Sequence, residues 1–100
     1  MMSLADLTTE ITNKTNDMAA NGKKVKIDLE GEGVILIDGT GDAMVVNNED
    51  SDADVVLTIS ADNFQQLIDG DLNPQMAFMG GQLRIDGDMG LALQLSDMFS

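Results

Sequence analysis

The acidic residues are the first candidates for chemistry. Asp50, Asp52 and Asp54 stand at alternate positions in "DSDADV", the spacing with which a calcium loop presents its first three carboxylates. Such a loop also needs Gly at its sixth position and Glu at its twelfth, where this chain has Val55 and Ala61. "DGDLNP" breaks down in the same way, with Pro74 in the glycine position and Gly80 in the glutamate position. "DGDMG" supplies only Asp86 and Asp88 before the chain turns helical. Acidic turns and helix caps account for all three clusters, so neither a metal nor a cofactor is expected.

Other chemistry fails for want of side chains. The chain has no His, no Cys and no Tyr, which removes Ser-His and Cys-His nucleophiles, thiol chemistry and a phenolic acid. A carboxylate pair is conceivable, but 18 acids in 100 residues make chance pairs common and nothing sets two of them in an apolar cleft. "DGTGDA" lacks the third glycine and the lysine of a phosphate cradle and lies in a hairpin context. The expectation is a protein that is not an enzyme, with no catalytic residues.

Charge excludes further classes. Eighteen acidic against five basic residues give a formal charge of −13, a field that repels nucleic acid and anionic lipid surfaces alike. Lys23, Lys24 and Lys26 in "GKKVK" form the only basic cluster, which reads as the solvated start of a strand. Three Phe are too few for a base-stacking platform. No stretch of about 18 apolar residues is present, and "MMSLADLTTEITNK" lacks the basic and apolar regions of a secretory signal, so a cytoplasmic protein without stable membrane insertion is expected. The positive signal is methionine: of eight, Met76, Met79, Met89 and Met98 fall in the last quarter, where flexible, polarizable side chains suit a surface that fits varied apolar shapes.

The elements that would position such a surface follow from periodicity. Residues 1–100 read as one domain of globular composition, able to bury about two-thirds of its unfolded surface. Leu4, Leu7, Ile11 and Met18 form one stripe of a helix ending near Asn21-Gly22. Val25, Ile27 and Leu29 alternate with charged residues as a half-buried strand, and "VILID" and "AMVVN" follow across short glycine turns as an antiparallel meander. After the polar loop 47–54 come a fourth strand, Val55 to Ile59, and a helix capped by Ser60 and stopped at Gly70. Asn73-Pro74 starts a two-turn helix that Gly80-Gly81 ends; Leu83 and Ile85 mark a fifth strand, and Asp88 caps a last helix running to about Phe99.

That last helix is apolar on two sides. Met89, Ala92, Leu93 and Phe99 lie on one, Leu91, Leu95 and Met98 on the other, with only a thin polar strip of Gln94, Ser96 and Asp97 between them. A sheet covers one side; the second needs another helix, a partner protein or an apolar ligand.

The run from Leu57 to Leu95 resembles the sterol carrier protein 2 (SCP-2) family. "LNPQMAF" and "GQLRIDGDMGLA" carry the likeness: Leu72, Asn73, Pro74, Gln75, Ala77 and Phe78, then Gly81, Leu83, Ile85, Gly87, Met89, Gly90, Leu91 and Ala92. The resemblance implies an α+β fold, a five-stranded, mostly antiparallel mixed sheet covered by helices, with an apolar tunnel between the two layers. It implies non-catalytic binding of a sterol, fatty acyl chain or other lipid. By helix face and family position, Phe64, Leu67, Ile68, Met76, Phe78, Met89, Leu93 and Met98 are expected to line the tunnel. The chain departs from the family's peroxisomal members, which end in a Ser-Lys-Leu type tripeptide, by ending Met98-Phe99-Ser100, and it lacks about twenty residues that follow the last helix in longer members. Its charge also sets it apart from basic carriers that collide with anionic membranes. The alternative is an interaction module that docks on an enzyme of lipid or quinone metabolism, or forms a homodimer, through the last helix.

Energetics favour an occupied or pliable space. An empty apolar void of about 300 Å³ would cost about 7 kcal/mol, against a total stability of about 5–15 kcal/mol. One long acyl chain, at about 0.8 kcal/mol per buried CH₂, offers roughly 10 kcal/mol before immobilisation is subtracted.

Overall fold

Helix α1 (Leu4–Thr15) starts at Ser3 because two side chains satisfy each other's backbone donors. The Asp6 amide donates to the Ser3 hydroxyl and the Ser3 amide donates to the Asp6 carboxylate, both at 3.2 Å. This computed structural model describes residues 3–96. Leu7, Ile11 and Thr15 bury one stripe of α1, and the helix ends there, short of the expected Asn21-Gly22. Met18 is the one large apolar residue that a further turn would add, and the Asn16 and Asp17 leading to it are weak helix formers. The hydroxyls of Thr8, Thr12 and Thr15 bond back to carbonyls one turn earlier, at 2.7 to 2.9 Å, which weakens the helix further. Met18 is left half-buried in the connection.

Strands β1 (Lys24–Leu29), β2 (Gly33–Asp38) and β3 (Val45–Asn47) form the expected meander. β3 is shorter than "AMVVN" because the turn before it takes more chain, beginning where the Asp38 carboxylate accepts from the Thr40 amide at 2.9 Å. Strand β4 (Val55–Ile59) then runs parallel to β1, and β5 (Arg84–Gly87) antiparallel to β4, in the order β3-β2-β1-β4-β5. Register fixes the inner face: Ile27 lies opposite both Ile35 and Leu57, and Leu57 opposite Ile85. Side chains in register share a face, so this row is continuous across four strands.

All four helices bury residues in the core on that face. Leu7 and Ile11 come from α1, Phe64 and Leu67 from α2 (Ala61–Asp69), Ala77 from α3 (Pro74–Met79), and Leu91, Ala92 and Leu95 from α4 (Met89–Ser96). The outer face has different cover. Leaving edge strand β3 for β4, the chain must cross β2 and β1, and Asp50 in this acidic segment meets Lys26 of the outer face at 2.8 Å. This hydrogen bond holds the Lys26 ammonium above its ordinary range. Leu36, alternating with inward Ile35 and Ile37, is 1% exposed on the outer face beneath this crossing.

The caps that aim the last three helices are the expected ones. Ser60 accepts from the Asn63 amide at 3.2 Å, and Gly70, at φ 83, closes α2 in the left-handed conformation. Asn73 accepts from the amides of Gln75 and Met76 at 2.9 and 3.3 Å, with Pro74 at the first helical position. Asp88 accepts from the Leu91 amide at 3.1 Å. At the end of β5, Gly87 has φ 116 and lies so close to Asp54 that an added Cβ would collide with its carbonyl oxygen.

Candidate functional site

Where β1, β4 and β5 meet the last three helices, inner-face side chains and helices leave space between them. An apolar pocket of about 430 Å³ lies there. Ile27, Leu57, Ile59 and Ile85 form its floor on the sheet. Phe64 and Leu67, one turn apart on α2, make one wall; both are also fully buried core residues, so this wall is held rigid by the fold itself.

Helix α3 contributes Pro74, Gln75, Phe78 and Met79, and α4 contributes Met89, Ala92 and Leu93. These two helices also form the mouth. Phe78 and Met89 line the pocket yet are 44% and 45% exposed, and Met79 and Leu93 reach 78% and 64%. The pocket thus passes from a closed apolar interior to a solvent-facing rim rich in methionine.

Its chemistry is uniform. Among the described residues the lining holds no carboxylate, amine or hydroxyl, and Gln75 is the one polar side chain. No group of three or more acids among the described residues could hold a metal ion. The arrangement offers contact area and exclusion of water.

Five of the residues singled out from sequence meet here: Phe64, Leu67, Phe78, Met89 and Leu93. Ile68 is half-buried at the edge of the core and outside the lining. Met76 is 68% exposed and also outside it; residues two apart on a helix point to opposite sides, so Met76 and Phe78 cannot share one wall. Met79, one position after Phe78, takes the methionine's place. Met98 lies outside the described residues. The sheet floor and Gln75 escaped the sequence reading. Strand alternation put Ile27, Leu57, Ile59 and Ile85 on a buried face, but core and pocket floor have the same pattern; the spacing of Gln75 and Met79, four apart, was the available signal on α3.

Over its described residues the last helix has the expected two apolar sides, while Phe99 and the expected helix end lie outside them. Leu91 and Leu95 are buried in the core while Met89 and Leu93 turn to the pocket, with Ala92 touching both. The second apolar neighbour is the pocket.

A mixed five-stranded sheet carrying its helices on one face, with an apolar pocket between the layers, defines a small α+β protein. The chain belongs to the SCP-2 sterol transfer family, whose model matches residues 3–100. It is 42% identical over 79 residues to hydroxysteroid dehydrogenase-like protein 2 of Danio rerio, an alignment covering 75% of this chain and 19% of that protein. Among solved structures, the sterol carrier protein domain 2 of Helicoverpa armigera superposes with a TM-score of 0.74 at 27% identity, covering 93% of this chain and 81% of that one. Sterol carrier protein 2 of Aedes aegypti, solved in complex with the C16 fatty acid palmitate, has the same fold, with a TM-score of 0.76 at 21% identity over 99% of this chain and 97% of that one. Among the described residues no helix is long and apolar enough to cross a membrane.

Proposed function

We propose that this chain is a non-catalytic lipid-binding protein that holds one sterol, fatty acyl chain or comparable lipid in the pocket between β1, β4, β5 and helices α2 to α4. The observation that carries the reading is an uncharged apolar pocket of about 430 Å³ in a member of the SCP-2 sterol transfer family. The palmitate held by the Aedes aegypti protein supports it. Phe64 and Leu67 grip the buried end of the lipid, and Phe78, Met89 and Leu93 close over it at the mouth. With lipid in place the flexible Met79 and Met89 part, and the pocket opens into a tunnel between sheet and helices.

Docking through α4 draws less support. Leu91, Ala92 and Leu95 are already committed to the core, and the exposed Met89 and Leu93 already rim the pocket. The test is organic extraction of the purified protein followed by mass spectrometry, with thermal melts on adding fatty acids, fatty alcohols and sterols. Co-purified lipid, or a rise in Tm that grows with ligand concentration, is the expected result. Empty extracts together with unmoved melts refute lipid binding.

A further inference from the structure

Resting on that lipid reading, we infer that the pocket selects lipids with an uncharged head group and disfavours free carboxylates. The positions of the cations carry the argument. The chain has five, Lys14, Lys23, Lys24, Lys26 and Arg84, and none of them lines the pocket. Lys24 and Lys26 alternate with inward Val25 and Ile27 and so lie on the far side of the sheet, as does Arg84 between Leu83 and Ile85. Lys26 is further committed to Asp50.

Helix starts provide no substitute for a cation. The two that open on the pocket are filled: Asn73 accepts from the amides of Gln75 and Met76, and the Asp88 carboxylate accepts from the amide of Leu91. Asp88 and Lys23 line a separate recess with Asn21, Gly90, Leu91 and Gln94, so the carboxylate and the cation near the start of α4 both lie outside the lipid pocket. A carboxylate head would therefore sit in the field of a chain of charge −13 with no ion pair. A hydroxyl, ester or amide head meets no such penalty. The Gln75 side chain, the single polar side chain of the lining among the described residues, can both donate to and accept from it.

The probes are tetradecanol and myristate, matched in chain length because at about 30 Å³ per carbon, taken as equal to a water's share of the liquid, the pocket has room for about fourteen carbons. Equilibrium dialysis of the full chain against each radiolabelled lipid gives a ratio of affinities. The alcohol should bind tighter by on the order of tenfold at low salt. That ratio should shrink between about 0.01 and 1 M salt, as the screening length falls from about 30 to about 3 Å. Gln75→Lys, which sets a cation at the head-group position, should shift the ratio toward myristate by about threefold. Myristate binding as tightly as the alcohol, at a ratio indifferent to salt, overturns the head-group inference and leaves the lipid reading standing. A ratio unmoved in Gln75→Lys overturns the assignment of the head to Gln75. Retention of neither lipid overturns the inference, and if cholesterol in the same dialysis is not retained either, the lipid reading falls with it.

Discussion

Ala92 is where stability and binding should respond with opposite sign. It lies on α4, 4% exposed, with one side on the core and the other on the pocket. Ala92→Leu adds three carbons there, worth up to about 2.4 kcal/mol if fully buried at about 0.8 kcal/mol each. The pocket is open at its mouth, so a gain of about 1–2 kcal/mol is expected, a rise in Tm of about 5–10 °C for a chain of this size. If the site were already packed, the same carbons would instead lower stability by about 1–3 kcal/mol. Binding should move the other way. A lipid that fills the wild-type pocket loses room for about three carbons, about 50-fold in affinity, and the preferred chain should shorten by the same number. Melting curves of lipid-free protein and competition across a series of fatty alcohols read both quantities. A variant that melts lower and keeps the wild-type preferred length refutes the claim that this space is the lipid site.

Leu93→Asp places a charge on the rim, and it should weaken lipid binding by about tenfold while leaving stability within about 0.5 kcal/mol, since the position is 64% exposed; equal lipid affinity in the two proteins would remove Leu93 from the mouth. Gly87→Ala should destabilise by at least about 2 kcal/mol, because φ 116 strains an alanine and its Cβ would meet the Asp54 carbonyl oxygen; an unchanged denaturation midpoint would contradict that packing. Asp38 is held below the ordinary carboxylate range, chiefly by the Thr40 hydroxyl and then by the Thr40 amide. A depressed folded-state pKa means the ionised form stabilises the fold above the unfolded value of 3.8, and that the benefit is lost as pH falls through the folded pKa. Wild type should thus outlast Asp38→Ala in melts near neutrality and lose its lead in acid; a constant difference across that range would show that ionisation plays no part.

How far the sequence foretold the structure depended on whether a residue's role was local. Caps are local: Ser60, Asn73 and Asp88 accept from amides within three residues, and Pro74 fits the first turn because it lacks an N–H, so their types and spacing placed α2, α3 and the start of α4. Strand faces were legible for the same reason, as Val25, Ile27 and Leu29 show. The end of α1 was harder, because Met18 continues the stripe in number but the Asn16 and Asp17 leading to it are weak helix formers. The pocket was legible only in part. Phe64 and Leu67 follow from helix spacing, but whether a buried side chain touches another side chain or an open space depends on how far α3 and α4 stand from the sheet, and periodicity is silent on that distance. Met76 and Met79 illustrate the limit: alike in type and three apart on one short helix, one lines the pocket and the other does not.

The pocket's two ends impose different physical demands, and the residue types divide accordingly. Its floor and α2 wall are isoleucine, leucine and phenylalanine side chains, buried and shared with the core except for the half-buried Ile85, so the inner end cannot be widened without cost to the fold. Its mouth is Phe78, Met79, Met89 and Leu93, largely exposed and free of that constraint. A fully enclosed apolar void of about 430 Å³ would cost about 10 kcal/mol at about 24 cal/mol per Å³, comparable with the whole stability of a small domain. The open mouth spares the chain part of that cost, and methionine, unbranched and polarizable, lets the rim fold inward with little strain. Exposed apolar rims also invite association, which a charge of −13 opposes in the same molecule. Acidity, methionine enrichment and an uncharged pocket are therefore linked: each is what a chain needs if it must hold a greasy molecule at one moment and remain folded and dispersed without it at the next.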